Sequence, residues 1–167
     1  MSLSRTCRTV AVGGAALLAL GTTTVPAAAG PGASAKGAFR LPTGAASTTM
    51  GGHAHLVRTG SGASLLSVHV TGLTAGTVYG VHLHDATCAA GLGHYKNSAS
   101  PPATPPNELW ASADPANPQA GIRAGVDGVA HGSGKAPWRA RPEARSVVVH
   151  VPGSTAGGTR LLCADLG

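Results

Sequence analysis

The sequence predicts an all-β protein of antiparallel strands, arranged as a β-sandwich or barrel. Short segments rich in β-branched residues recur along the chain and are typical of strands. Turns between them draw on 25 glycines and 12 prolines. No long stripe of helical period runs free of Gly or Pro. Short strands with frequent turns indicate a sandwich or a barrel.

The N-terminus predicts a secretory signal peptide over residues 1–29. Two arginines precede an uncharged apolar run from Val10 to Leu20, and small residues follow as far as Ala27-Ala28-Ala29. This order matches a signal with cleavage near Ala29. The apolar run is too short for a permanent membrane span, and no other segment could cross a bilayer. We therefore expect a secreted or extracytoplasmic mature chain.

The mature chain divides into a leader and one domain. Residues 30–45 are rich in Gly, Ala, Ser and Pro without periodicity, which predicts a flexible leader. Residues 46–167 suit a single domain. The predicted strands cover 63–71, 78–84, 122–126, 129–131, 145–151 and 159–163.

The strand patterns differ in what they predict about burial. The first strand alternates, with Leu66, Val68 and Val70 opposed to polar neighbours. Residues 145–151 are continuously apolar and β-branched over most of their length, as in a buried strand. Asp127-Gly128 marks a hairpin turn. Residues 96–107, with four prolines, and 113–121 are predicted to be exposed loops.

Charge argues against a nucleic-acid partner. Twelve Lys and Arg less the signal's Arg5 and Arg8 leave ten, against six acidic residues, which gives the mature chain a net charge of about +4. The arginines near position 141 are interleaved with Pro142 and Glu143. That pattern indicates a solvated, mildly cationic face.

Two cysteines remain once Cys7 is removed with the signal. An even pair in an exported protein is interpreted first as a disulfide, here between Cys88 and Cys163. The alternative is a pair of buried free thiols.

All eight histidines lie in the mature chain. In Gly80-Val-His-Leu-His-Asp85, the spacing of His82 and His84 places both imidazoles on one face of a strand, where they could bind one metal ion. Imidazole suits Cu, Zn, Ni or Fe, and copper leads the affinity order. His53 and His55 share the spacing, which predicts a surface strand or adventitious metal binding. His69 and His131 are interpreted as ordinary strand residues.

The segments around and after His82-x-His84 resemble the copper/zinc superoxide dismutase family. They are Val68-His-Val-Thr-Gly-Leu-Thr-Ala-Gly76, Cys88, Gly91-Leu-Gly-His94-Tyr, Val147-Val-Val-His150 and Gly158-Thr-Arg160-Leu-Leu-Cys163. The resemblance covers residues 64–95 and 124–167. It implies the Greek-key form of the sandwich and a copper-dependent enzyme that disproportionates superoxide.

Carried over by position, the resemblance assigns roles to individual residues. His82, His84, His94 and His150 would be copper ligands. Cys88 would pair with Cys163, Arg160 would stand beside the open copper position, and His94 would deliver a proton in each cycle. Arg160 lies only three positions before Cys163, so a disulfide there would also restrict the guanidinium, whose charge attracts small anions.

The chain departs from the family at the zinc site. No histidine lies between His94 and His131, and prolines stand where the zinc ligands should be. We therefore expect copper without zinc. The loop before Arg160 carries no charge, which implies less electrostatic steering. Because ligating histidines usually have an acceptor for their outer N–H, we predict that Glu108 accepts that of His94.

Three functions fit this sequence. The first is an exported superoxide dismutase, with superoxide as its small-molecule substrate. The second is an exported copper-binding or copper-buffering protein with little turnover, which would not need Arg160. The third is a degenerate sandwich with a structural role, which would not explain four surviving ligand positions. The sequence leaves the oligomeric state open and is compatible with a monomer.

Overall fold

The computed structural model describes residues 31–44, 47, 49–90, 93–100, 102–153 and 158–167. The predicted signal peptide lies outside these residues. Within the described part of the chain, no helix is long and apolar enough to cross a membrane.

Regular structure in the described residues consists of β-strands and one short 3-10 helix. The strands are β1 Ala33–Ala38, β2 Gly51–Arg58, β3 Ser64–Thr71, β4 Val78–Tyr79, β5 Val81–His84, β6 Ile122–Arg123, β7 Ala130–Ala136, β8 Ser146–His150 and β9 Arg160–Asp165. The 3-10 helix, Pro118–Ala120, lies in the predicted loop 113–121.

The strands form three antiparallel sheets. One has the order β1-β2-β3-β7, another β5-β8-β9, and β4 pairs with β6. The predicted all-β, antiparallel class is confirmed, while the Greek-key arrangement and closure into a barrel stay predictions. Main-chain hydrogen bonds also join residues outside the named strands to the sheets, from Arg40 to Cys163 in β9 and from Ser112 to Ser133 in β7.

The segment predicted as a flexible leader contains strand β1, which corrects that prediction. The strand pairs with β2 from Ala33 opposite Arg58 to Ala38 opposite His53. Lys36 exchanges main-chain hydrogen bonds with Gly167, and Gly37 packs directly on the main chain at Asp165. The small side chains of β1 form little apolar pattern, which is why the sequence did not indicate a strand. They do allow the β1 backbone to pack closely against the edge of β9.

Most predicted strands are present, with shifted ends. β3 alternates as expected, with Leu66, Val68 and Val70 buried. The predicted strand 78–84 is split at Gly80 into β4 and β5. The Asp127-Gly128 turn is present, with φ of +74° at Gly128, but the strand before it ends at Arg123 and β7 after it continues to Ala136. β7 is longer because it pairs along almost all of β3.

The apolar core is enclosed by the two larger sheets. Its fully buried members include Leu56, Leu66, Val81, Val149 and Leu162. All four residues of β5 are buried. Val81 and Leu83 of β5 belong to this core. Because successive side chains of a strand point to opposite faces, His82 and His84 lie on the face of β5 that points away from the core.

The predicted loop 96–107 contains no strand at its described positions. The side-chain amide of Asn107 donates to the carbonyls of Ser98, Ser100 and Pro102, and its oxygen accepts the Ser98 N–H. These bonds fold the loop around one side chain. They also fix the position of Glu108, the next residue.

Candidate metal centre

Four histidines from separate parts of the sequence converge on one point. One ring nitrogen from each of His82, His84, His94 and His150 lies within 4.8 Å of those of the others. These are the four residues proposed as metal ligands from the sequence. Among the described residues, they form the only group of three or more His, Cys, Asp or Glu side chains with this geometry.

Strand β5 supplies the first two histidines. The rings of His82 and His84 stack with centroids 4.8 Å apart, as expected of i and i+2 positions on one face. Their exposure is 0% and 2%. The indole of Trp110 lies 4.7 Å from the His82 ring and covers it. The pair is thus held by a strand and shielded by an aromatic side chain.

The loop after β5 brings His94 back to the same strand. The Asp85 N–H donates to the Gly93 carbonyl at 3.1 Å, and the Tyr95 N–H donates to Leu83 at 3.0 Å. His94 therefore pairs with His84 like a residue of a neighbouring strand. Its ring centroid lies 4.0 Å from that of His82.

The last residue of β8 supplies the fourth histidine. The pairing of β8 with β9 is irregular between Val149 and His150. The His150 ring lies 4.5 Å from the His82 ring and is 1% exposed. Its Nδ1 lies 3.1 Å from the Gly158 carbonyl. Because a carbonyl can only accept a hydrogen bond, Nδ1 carries the proton, and the lone pair of Nε2 is free to bind a metal ion.

The unmatched nitrogens of the cluster fit a metal ion. Both ring nitrogens of His82 and His84, and Nε2 of His94 and His150, are buried without a hydrogen-bond partner among the described residues. Leaving a buried polar atom unpaired costs about 1–3 kcal/mol. One nitrogen of each ring lies within 4.8 Å of those of the other rings, so a ligand bound between them would complete four of these atoms. The cluster could therefore hold a metal ion.

Burial keeps the imidazoles of His82, His84 and His150 neutral, the form that binds metals. Burial, followed by the neighbouring His94, lowers the pKa of His84 to about 3. The pKa values of His82 and His150 are also lowered, chiefly by burial. The charge of Arg160 adds to the effect at His84 and His150. A positive metal ion thus has no bound proton to displace at these rings near neutral pH.

Glu108 lies behind His94, as predicted. The Nδ1 of His94 lies 3.0 Å and 3.1 Å from the two carboxylate oxygens. The side chain of Glu108 is only 1% exposed, and the Trp110 indole N–H donates to it at 2.8 Å. Desolvation acts to raise the pKa of Glu108, but the hydrogen bonds from His94 and Trp110, together with the charges of His94 and Lys96, lower it overall. A carboxylate held in this way fixes the His94 ring with Nε2 facing the cluster.

Arg160 stands beside the cluster at the start of β9. Its guanidinium donates to the Cys88 carbonyl at 2.9 Å. Its charge is felt by His84 and His150. Since an arginine has five N–H donors, donation to one carbonyl leaves other N–H groups able to donate to an anion beside the cluster.

The predicted disulfide is confirmed. Cys88 and Cys163 are bonded, with their Cα atoms 5.8 Å apart. The bond ties the loop that carries His94 to the strand that begins with Arg160. The Cys88 N–H also donates to the Asp165 carboxylate at 2.7 Å. Two neighbouring contacts thus fix the loop against β9.

Sequence reasoning missed two participants. Trp110 and the carbonyl of Gly158 each contact a group of the cluster, and neither residue type signals a metal site. A tryptophan two residues after a buried glutamate, on the same side of an extended segment, was the available signal. A backbone carbonyl leaves no signal in a sequence.

Comparison with known proteins adds no assignment. No model of a protein family matches the chain, and no curated protein matches it.

Proposed function

We propose that this chain is an exported superoxide dismutase that uses copper without zinc and belongs to the copper/zinc superoxide dismutase family. The observation that carries the proposal is the four-histidine cluster with its unmatched nitrogens and an arginine beside it. The motif resemblance and the Cys88–Cys163 disulfide support it.

Copper suits this donor set better than other common ions. The cluster offers imidazole nitrogens without a carboxylate or a thiolate, and among divalent ions Cu(II) binds nitrogen sites most tightly. Bound copper would supply one-electron chemistry by alternating between Cu(II) and Cu(I). Overall, one superoxide ion is oxidised to O2 and a second, with two protons, is reduced to H2O2.

Arg160 binds and orients the substrate. Superoxide is a small anion, and a guanidinium beside a buried cluster raises its local concentration and donates hydrogen bonds to it. The bond to the Cys88 carbonyl keeps the guanidinium in place between encounters. Preorganised positive charge of this kind is worth about 10- to 1,000-fold in association rate.

His94 is the member of the cluster best placed to exchange protons. Its side chain is 12% exposed, whereas the other three residues are 0–2% exposed. A cavity of about 740 Å³ opens beside it and is also lined by Glu108, Lys96 and Arg141. Glu108 holds Nδ1 of His94, so Nε2, which faces the cluster, is the atom through which His94 would deliver a proton to the substrate. In this proposal Glu108 takes over the positioning role of the missing zinc.

Export agrees with the disulfide, which forms in oxidising compartments. Residues 1–29 would direct secretion. The signal peptide itself rests on the sequence pattern alone.

The test is superoxide removal by the copper-loaded protein. We expect activity in the wild type, near-complete loss in His150→Ala, and a loss of about tenfold or more in Arg160→Ala with copper affinity retained. Arg123→Ala is the matched control, because that exposed arginine also donates to one backbone carbonyl, at Gly76, outside the cluster.

Two results would overturn the proposal. A protein that binds copper tightly without removing superoxide would be a copper buffer. A protein without tight copper binding would support a structural role for the domain.

A further inference from the structure

The four histidines outside the metal centre lie together on the outer face of the larger sheet. They are His53 and His55 on β2, His69 on β3 and His131 on β7. Strand register places His53 opposite His69, and His69 opposite His131. Three strands therefore present a continuous row of imidazoles, which we call the histidine row: His53, His69 and His131.

The rings of the histidine row are in contact. The centroids of His53 and His69 are 5.3 Å apart, and those of His69 and His131 are 4.6 Å apart. The Nδ1 atoms of His69 and His131 approach to 3.3 Å. Two nitrogens at about 2.0–2.1 Å from one tetrahedral metal ion lie about 3.3 Å from each other. The spacing of this pair thus matches that of two ligands of one ion.

We propose that His69 and His131 form a second metal site, open to solvent, for a divalent transition-metal ion. The two Nδ1 atoms are the protein ligands, and water completes the coordination. His53 flanks the pair, with its ring centroid 5.3 Å from that of His69. The site does not depend on the proposed enzymatic function, because its residues lie on other strands than the buried cluster.

The surroundings select the class of ion. On this face, the next residues along β3 and β7 are Ser67 and Ser133, and neither is charged. Without carboxylates, the pair has little affinity for Ca²⁺ or Mg²⁺, which require oxygen ligands. Imidazole nitrogens instead favour Cu(II), Ni(II) and Zn(II), with Cu(II) the strongest.

Two further observations support an exchangeable site. His53 and His131 are exposed and His69 is partly buried, so an ion can reach the pair without any movement of the chain. Partial burial and the two neighbouring histidines lower the pKa of His69. The ring is therefore neutral and able to bind a metal near neutral pH.

The experiment titrates Zn(II) into the purified, metal-free chain and follows the ring resonances of all eight histidines by NMR, so that binding at the buried cluster and binding at His69 and His131 are observed separately. Zn(II) is the probe because it is diamagnetic. In the wild type, we expect the rings of His69 and His131 to shift together and to saturate with one ion.

The matched variants are His131→Gln and His55→Gln, which each remove one imidazole from the same face. Partners that only orient a ligand are worth about 10- to 100-fold in affinity, so removal of a ligand in His131→Gln should weaken Zn(II) binding by about tenfold or more. His55→Gln should bind like the wild type. Circular dichroism verifies that both variants are folded.

Three results would overturn the proposal. In the first, the ring resonances of His69 and His131 do not respond to Zn(II). In the second, His131→Gln binds Zn(II) as tightly as the wild type, and in the third, His55→Gln loses as much Zn(II) affinity as His131→Gln. The last would show nonspecific binding to a histidine-rich surface. None of these results bears on superoxide removal, so the two proposals fail separately.

Discussion

At the scale of single residues, Glu108 is an acidic side chain buried behind a candidate ligand. Its charge is stabilised by N–H groups of His94 and Trp110 rather than by water. Glu108→Gln keeps the size but removes the charge, so Nδ1 of His94 loses its strongest acceptor. We expect copper affinity to fall by about 10- to 100-fold, as measured by competition with a chelator.

Glu143→Gln is the control for that change. Its carboxylate lines the same cavity, but it is 63% exposed and pairs only with Arg141, at 3.5 Å. We expect its copper affinity to match the wild type. Equal affinities for all three proteins would show that Glu108 does not position His94.

At the scale of secondary-structure elements, β1 is a strand in a segment that the sequence predicted to be a flexible leader. Gly37 lies where a Cβ would overlap the carbonyl of Asp165. Gly37→Ala should therefore separate β1 from β9 and lower the free energy of unfolding by about 1–3 kcal/mol, measured by denaturant titration. Ser34→Ala, at an exposed position of the same strand, should have little effect. If Gly37→Ala also leaves the free energy of unfolding unchanged, β1 does not pack on β9.

The disulfide joins two other elements, the loop of His94 and strand β9. It closes a loop over a sequence separation of 75. The entropy that this closure removes from the unfolded chain corresponds to roughly 4 kcal/mol of stability. The double variant Cys88→Ser/Cys163→Ser should be less stable by about 2–4 kcal/mol in urea. The same stability as the oxidised wild type would contradict this. Reduced wild type should behave like the variant, which serves as the control.

The difference between β1 and β3 shows what could be predicted about the fold. Alternation in β3 reflects burial of Leu66, Val68 and Val70. The signal for this strand is therefore present in its own residues. β1 is held mainly by main-chain hydrogen bonds and close approach, to which its Ala, Gly and Ser side chains add no pattern. Local periodicity therefore found β3 and could not find β1.

The same distinction applies to the two histidine groups. The buried cluster was predictable because the resemblance of the surrounding motifs to a known family assigned His82, His84, His94 and His150 to one site. His69 and His131 are 62 positions apart, and each stands alone on its strand. Only the register of β3 with β7 brings them into contact, and a register between distant strands depends on the whole sheet.

At the scale of the whole molecule, the metal centre couples stability to pH. Burial lowers the pKa of His84 to about 3, below its ordinary value of 6.5, and lowers those of His82 and His150. Below pH 6.5, the unfolded chain therefore binds protons that the folded, metal-free chain does not. Stability of the metal-free protein is fully present above pH 6.5 and is lost as the pH falls towards 3. Glu108, whose pKa is also lowered, adds a loss of the same sign below its ordinary value of 4.5.

A bound metal ion changes this dependence because it stabilises only the folded state. At a free metal concentration of 100 times the dissociation constant, the gain is about 2.7 kcal/mol. Protons compete for the same ring nitrogens, so the gain should shrink in acid, where the metal is released. We therefore expect denaturant titrations between pH 7.5 and 4 to give two separate curves that converge at the acid end, with the metal-loaded protein the more stable. A metal-free protein whose stability is constant over this range would show that His82, His84 and His150 are not buried as neutral rings.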